Sequence, residues 1–353
     1  SNGGSVRGMV LGGMVPPGNK NAATQSGCLL PPAAHEPLHV IEYLKICRPD
    51  HWLKNIFIVF GHVVAMTLVL NFEITGHHIV MALLSLIPAC LIASANYVLN
   101  EILDAPFDAM HPTKKLRGIP AGKVKVSILW WIKAALIVGG FALAWAFGFN
   151  WAYHAALLLL LISGVVYNVR PLRLKDRAFM DVIAESFNNP IRLWLGYYAL
   201  VEPHTVPPAS IVLAWWFFGA LLMTGKRYAE FRFIGDAELS GRYRRSFQTY
   251  TEKSLILAMI TYANLFCFCT GIAMATYPRL NNLVFVFPFI VAAVLFYFNH
   301  AMKSENAKLE PEQLMQSPWV IICTLVTGAL TLWLLLVHTN YAKAMHLLGP
   351  LEW

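Results

Sequence analysis

From about residue 38 onward this chain is a succession of long apolar stretches parted by short polar loops. Nine stretches have the right character: 55–71, 77–103, 123–148, 151–169, 179–201, 208–229, 253–276, 281–301 and 318–340. A helix crossing a bilayer needs about 20 mostly apolar residues. Lipid offers no partner to backbone N–H and C=O groups, so each crossing segment must be helical. The residue-by-residue alternation of a membrane barrel is absent. The expected fold is therefore all-α: a polytopic membrane helix bundle of about nine transmembrane helices around a central cavity open to the cytoplasmic side. Only 13% of residues are charged, against about 25% in soluble domains. That excludes a soluble globular enzyme, a disordered chain and a nucleic-acid-binding domain.

The organisation is simple. Residues 1–38 are rich in Gly, Pro, Asn and Ala and read as a disordered leader. Residues 39–342 form the transmembrane domain, and 343–353 a short tail. The six cysteines show no CxxC pair or metal spacing, and most lie in apolar runs. They read as small buried hydrophobes.

Lys and Arg alternate between loops. One side carries Lys45, Arg48 and Lys54, then Lys114, Lys115, Arg117, Lys123 and Lys125. It continues with Arg170, Arg173, Lys175 and Arg177, then Lys226, Arg227, Arg232, Arg242, Arg244 and Arg245, and closes with Lys303 and Lys308. The opposite loops hold Arg279, and the tail adds Lys343. The positive-inside rule makes the first side cytoplasmic. The expected location is a multi-pass inner or plasma membrane, with the active site facing the cytoplasm. A net charge of +8 on so apolar a chain points to anionic lipid and anionic substrates.

The chemistry gathers on the basic side. Asn96, Asn100, Asp104 and Asp108 are spaced by four and share a helix face. Pro106 predicts a helix that ends or kinks near Asp104, with Asp108 folded back. Hard oxygen donors suit Mg²⁺, which binds through one or two carboxylates plus substrate phosphates. Lys114, Lys115 and Arg117 follow at once and suit phosphate oxygens; His111 reads as a loop residue. The plainer alternative is a solvated helix end. A second cluster runs from Tyr167 through Arg173 and Lys175 to Asp181 and Glu185. Asp181, Glu185, Asn188 and Arg192 fit one helix face, and an Arg this deep should face the bundle interior. The alternative there is a structural Glu185–Arg192 contact. A third cluster is Gly225-Lys226-Arg227-Tyr228-Ala229-Glu230; the later Arg242, Arg244 and Arg245 also read as a collar on anionic headgroups. Before the first span, Arg48-Pro-x-x-Trp52-x-Lys54-Asn55 reads as an interfacial amphipathic lead-in. Two loops thus repeat one scheme of span, acidic cluster and basic trailer, which suggests two metal–phosphate half-sites facing each other.

With these residues laid out, the chain resembles the UbiA superfamily of intramembrane prenyltransferases over residues 40–340. That family's first acidic motif, Asn-Asp-x-x-Asp-x-x-x-Asp, matches Asn100-Glu101-x-x-Asp104-x-x-x-Asp108, with Glu101 where Asp is usual. The second resembles Tyr167 to Lys175 followed by Asp181-x-x-x-Glu185, with Glu in the last place. Three segments are similar to the decaprenyl-phosphate phosphoribosyltransferase branch: Arg48 to Asn55, His111 to Arg117, and Gly225 to Glu230 with Arg244-Arg245-Ser246 and Tyr250. Gly118 stands where that branch usually has Pro, and the Pro171-to-Lys175 stretch is more like ordinary prenyltransferases.

The resemblance implies an Mg²⁺-dependent transfer of 5-phosphoribose from phosphoribosyl diphosphate to a polyprenyl phosphate in the membrane. It implies metal ligands at Asn100, Asp104, Asp108 and Asp181, with Lys175 and Lys226 among the catalytic groups. Substrate contacts fall to Lys54, Asn55, Asn100, Lys114, Lys115, Arg117, Tyr167, Glu185, Arg192, Arg227 and Tyr228. The partners are the two substrates and membrane lipid, with no nucleic acid; homo-oligomerisation stays open. Two other readings remain: prenyl transfer from a prenyl diphosphate to an aromatic or other small acceptor, and a transporter. The clustering of charge at one face argues against the transporter.

Overall fold

The computed structural model describes residues 40–109, 116–234, 245–302 and 318–336. The expected leader and tail lie outside the described residues, as do His111, Lys114, Lys115, Arg242, Arg244, Lys303 and Lys308. Among the described residues every regular element is helical.

Helix α1 (Val40–Cys47) leads through a 3₁₀ turn (Pro49–Ile56) into α2 (Phe57–Leu68). Then come α3 (Gly76–Leu84), α4 (Leu86–Asp108), α5 (Val126–Ala146) and α6 (Trp151–Asn168). A loop with a short 3₁₀ turn (Leu174–Asp176) precedes α7 (Met180–Ser186), α8 (Asn188–Tyr198) and α9 (Ala209–Ile234). After a 3₁₀ turn (Arg245–Gln248) follow α10 (Glu252–Thr276), α11 (Phe287–Ala301) and α12 (Pro318–Leu336). Caps fix several starts. The Thr75 side chain accepts from the His78 N–H, Asn150 from Tyr153, and Thr251 from Ser254.

Six helical stretches among the described residues have the length and apolarity to cross a membrane, and a bent pair makes a seventh. The expected nine apolar segments are largely helical in their described parts, but three are interrupted, the 77–103 segment at Ser85 between α3 and α4. The 179–201 segment divides at Phe187 into α7 and α8. Pro190 has no N–H to give the Ser186 carbonyl, and the Glu185 carbonyl beside it accepts from Asn188 Nδ2 at 3.1 Å. The 281–301 segment bends by 58° between Pro278–Phe285 and α11, where Pro288 likewise cannot donate. The first span starts earlier than expected, because α1 joins α2 in one run, Val40–Leu68. The expected helix end near Asp104 comes one turn later. Helix α4 passes through Pro106 to Asp108, because the proline sits in the last turn and costs a single backbone bond there.

Close packing holds the bundle. Helices α2 and α8 cross at Gly61 and Gly196, where a Cβ on either would overlap the other's carbonyl oxygen, Leu193 O or Ile58 O. Small residues allow this approach where lipid supplies no hydrophobic drive between helices. The core around that crossing joins Ile58, Ile92, Tyr153, Leu157, Ile191 and Leu195. A second core joins Leu221, Tyr228, Phe247, Tyr250, Met259 and Tyr297. Helix α5 turns Trp131 (77% exposed) and Trp145 (79%) outward near its two ends, as aromatic residues do at bilayer interfaces.

Candidate functional site

The last turns of α4 carry four polar groups, and each meets a cation or an amide. Asp104 Oδ1 accepts from Lys175 Nζ and, at 3.0 Å, from Arg173 Nη2. Lys175 Nζ also donates to Asn100 Oδ1 at 3.0 Å and to Asn168 Oδ1 at 2.9 Å. Three side-chain oxygens from α4 and α6 thus surround one cationic atom. Burial pulls the Lys175 ammonium below its ordinary pKa, and Asp104 opposes that shift. Glu101 is buried and meets Arg48 at 3.3 Å and Arg117 at 3.6 Å. Asp108 accepts from Arg117 at 3.0 Å.

The second cluster centres on Arg227, buried in α9. Its Nε donates to Asp181 Oδ2 at 3.1 Å, its Nη2 to Glu185 Oε2 at 2.6 Å and its Nη1 to Glu230 Oε2 at 3.1 Å. Asp181 is fully buried, and Ser246 Oγ and Tyr250 Oη also donate to it. Burial and the Asp181 carboxylate push the Tyr250 phenol up, so it stays protonated and donating. The Tyr250 hydroxyl in turn accepts from the Phe179 N–H at 2.8 Å. Glu185 keeps a third of its side chain exposed (33%) and accepts from Tyr167 Oη at 3.2 Å.

The clusters meet at the end of α6. Tyr167 bonds Glu185 on one side, and its neighbour Asn168 bonds Lys175 on the other. Backbone strain marks the same places. Arg48, Arg173 and Phe179 have φ of 49°, 30° and 63°. Non-glycine residues hold such angles only when their surroundings over-determine them. Here the ion pairs to Glu101 and Asp104 and the bond to Tyr250 do so.

The expected site residues divide as follows. Asn100, Asp104, Asp108, Arg117, Tyr167, Lys175, Asp181, Glu185 and Arg227 fall in the two clusters. Asn55 is buried and accepts from Arg192 Nε at 3.1 Å, so α8 turns Arg192 toward the first 3₁₀ turn rather than along the face of Glu185. Tyr228 is drawn away, donating to Glu252 at 2.9 Å. Lys54 and Lys226 are half-buried. Lys114 and Lys115 lie outside the described residues. Sequence reading placed Arg173, Ser246 and Tyr250 in its motifs without giving them a role in the site, and did not single out Asn168. Asn168 directly follows Tyr167, and its adjacency to that motif was the available signal.

Among the described residues no group of three or more His, Cys, Asp or Glu could hold a metal ion. The donors fit Mg²⁺ in another way. Asn100 and Asp104 already aim two hard oxygens at one cationic point, and Mg²⁺ takes few protein carboxylates, completing its shell with water and phosphate.

Residues 56–322 match the model of the UbiA prenyltransferase family. A decaprenyl-phosphate phosphoribosyltransferase of Mycolicibacterium smegmatis is 28% identical over 263 residues, covering 72% of this chain and 76% of the relative. One from Mycobacterium tuberculosis is 28% identical over 238 residues, 65% of this chain and 72% of the relative. The solved structure of a UbiA homologue from Archaeoglobus fulgidus bound to DMAPP and Mg²⁺ aligns with a TM-score of 0.62 at 18% identity. It covers 84% of this chain and 99% of that one.

Proposed function

Since the chain belongs to the UbiA prenyltransferase family and is a membrane-embedded transferase, we propose that it moves 5-phosphoribose from phosphoribosyl diphosphate to a polyprenyl phosphate. The observation that carries this reading is the convergence of Asn100, Asp104 and Asn168 on the Lys175 ammonium, with Arg173 alongside. The naming of the mycobacterial relatives supports the choice of donor and acceptor.

In this reading Asn100 and Asp104 hold Mg²⁺, with Asp108 one turn on and Glu185 as the open carboxylate of the second cluster. The chemistry an Mg²⁺ held by these oxygens would supply is neutralisation of the donor's diphosphate. Lys175, released from its oxygens, turns to the leaving diphosphate, with Lys226 and Arg117 adding charge. Asp181 works at one remove by fixing Arg227. The bond from sugar C1 to the diphosphate breaks, and a lipid phosphate oxygen bonds to C1. That oxygen is already anionic, so no strong base is required. Catalysis is then positioning and electrostatic stabilisation. The site faces the cytoplasm, and the polyprenyl tail lies among the apolar helices.

The test incubates purified protein in lipid with Mg²⁺, polyprenyl phosphate and either labelled phosphoribosyl diphosphate or labelled prenyl diphosphate. The expected product is a lipid heavier by one phosphoribosyl group, found by mass. A prenylated small acceptor with no phosphoribosyl lipid would overturn the reading in favour of ordinary prenyl transfer.

A further inference from the structure

Outside the acidic clusters lies a cleft of about 560 Å³ lined by Arg170, Arg173, Arg177 and Arg245, with Asp176, Pro171 and Leu172. Its lining holds four arginines and a single carboxylate. Arg170 and Arg177 are exposed, and Arg245 is 57% exposed. Their positions are on loops beyond the ends of α6 and before α10, so the cleft is reached from water.

Two features set it apart from a loose collar on headgroups. First, two of its arginines, Arg173 and Arg245, are held. Asp176 meets Arg173 at 3.0 Å and Arg245 at 4.0 Å. The Arg173 and Arg245 guanidinium carbons lie 5.0 and 6.0 Å from the Phe107 ring centroid, within cation–π range. Second, the cleft is tied to the reaction centre. Arg173 lines it and also donates to Asp104 at 3.0 Å. One guanidinium therefore separates the oxygens that grip the diphosphate from a second, wet concentration of positive charge. Planar, forked arginines are suited to phosphate.

A prenyl diphosphate carries all its charge at one end and has nothing to offer such a cleft. Phosphoribosyl diphosphate carries a diphosphate at C1 and a phosphate monoester at C5, a ribose apart. We propose that the arginine cleft is the binding site for the donor's 5-phosphate, and that it selects a doubly phosphorylated sugar over a prenyl diphosphate. This rests on the phosphoribosyl reading above.

The experiment uses the full chain in nanodiscs of neutral lipid. Arg177→Gln/Arg245→Gln should raise KM for phosphoribosyl diphosphate about a hundredfold, the scale of two lost charge-assisted hydrogen bonds. Turnover at saturation and KM for polyprenyl phosphate should hold. Ribose 5-phosphate, measured by calorimetry and as a competitive inhibitor, should weaken in parallel, and Arg177→Lys/Arg245→Lys should restore part of the loss. An unchanged donor KM and unchanged ribose 5-phosphate binding would overturn the cleft assignment. So would a shift that appears only in phosphatidylglycerol discs, which would mark a headgroup site. Should the Gln pair fail to fold, the Lys pair carries the same comparison with a smaller expected shift. A wild-type protein that makes no phosphoribosyl lipid sinks the reaction assignment instead. Calorimetry with ribose 5-phosphate then still decides the cleft, and absence of binding overturns it.

Discussion

At the scale of single residues, each acidic side chain of the two clusters meets a cation, and the partners differ in what removal should do. Asp104 is partly open and touches Lys175 and Arg173. Asp104→Asn keeps the shape and removes the charge. It should cut turnover by roughly a hundredfold, about 2.7 kcal/mol of transition-state stabilisation, with thermal unfolding nearly unchanged. Asp181 is fully buried against Arg227, Ser246 and Tyr250. Asp181→Asn should destabilise the fold by about 3 kcal/mol, as breaking a buried pair does, because Glu185 and Glu230 only partly compensate Arg227. A lower unfolding temperature in detergent checks it. An unfolding temperature unchanged in Asp181→Asn would show that the Asp181–Arg227 pair does not hold the fold. The spacing of acids and bases made both clusters legible in the sequence. What spacing could not supply was the pairing. Arg173 reaches Asp104 across 69 positions and Arg227 reaches Asp181 across 46, and nothing local in either segment encodes that choice.

At the scale of elements, apolar run length located the described helices to within a few residues where the sequence was unbroken, as for α6 and α10. It failed where the chain bends. A window of apolar residues cannot register that Pro190 and Pro288 each lack one donor, so it shows neither the break at Phe187 nor the 58° bend before α11. It placed the end of α4 one turn early, at Asp104 rather than Asp108, because a proline in the last turn costs one bond without stopping the helix at once. The α2–α8 crossing gives the test at this scale. Gly61→Val would drive a side chain into the Leu193 carbonyl. It should cost about 3 kcal/mol or more, the upper range for overpacking, and deplete the monodisperse protein recovered after extraction. Gly76→Val, where a Cβ meets nothing, should be recovered normally.

For the molecule as a whole, alternating basic loops fixed an expected orientation, and the site geometry depends on it for access to a water-soluble donor. Cysteine placed at Leu172 (48% exposed) and, separately, at Val206 (73% exposed), in a chain freed of its own thiols, should report opposite sides. In intact cells an impermeant thiol reagent should label the Val206 position and spare the Leu172 position. The reverse pattern would place the clusters outside.

The ammonium of Lys175 sits among three oxygens, two of which, on Asn100 and Asp104, the proposed chemistry assigns to a divalent ion. The protein thus carries its own counter-charge from the ribosome onward. Chelators should silence it without melting it: with EDTA the unfolding midpoint should stay where it was while product formation stops. Assembly and insertion of this bundle would then be independent of cellular magnesium, and only the reaction would be subject to it.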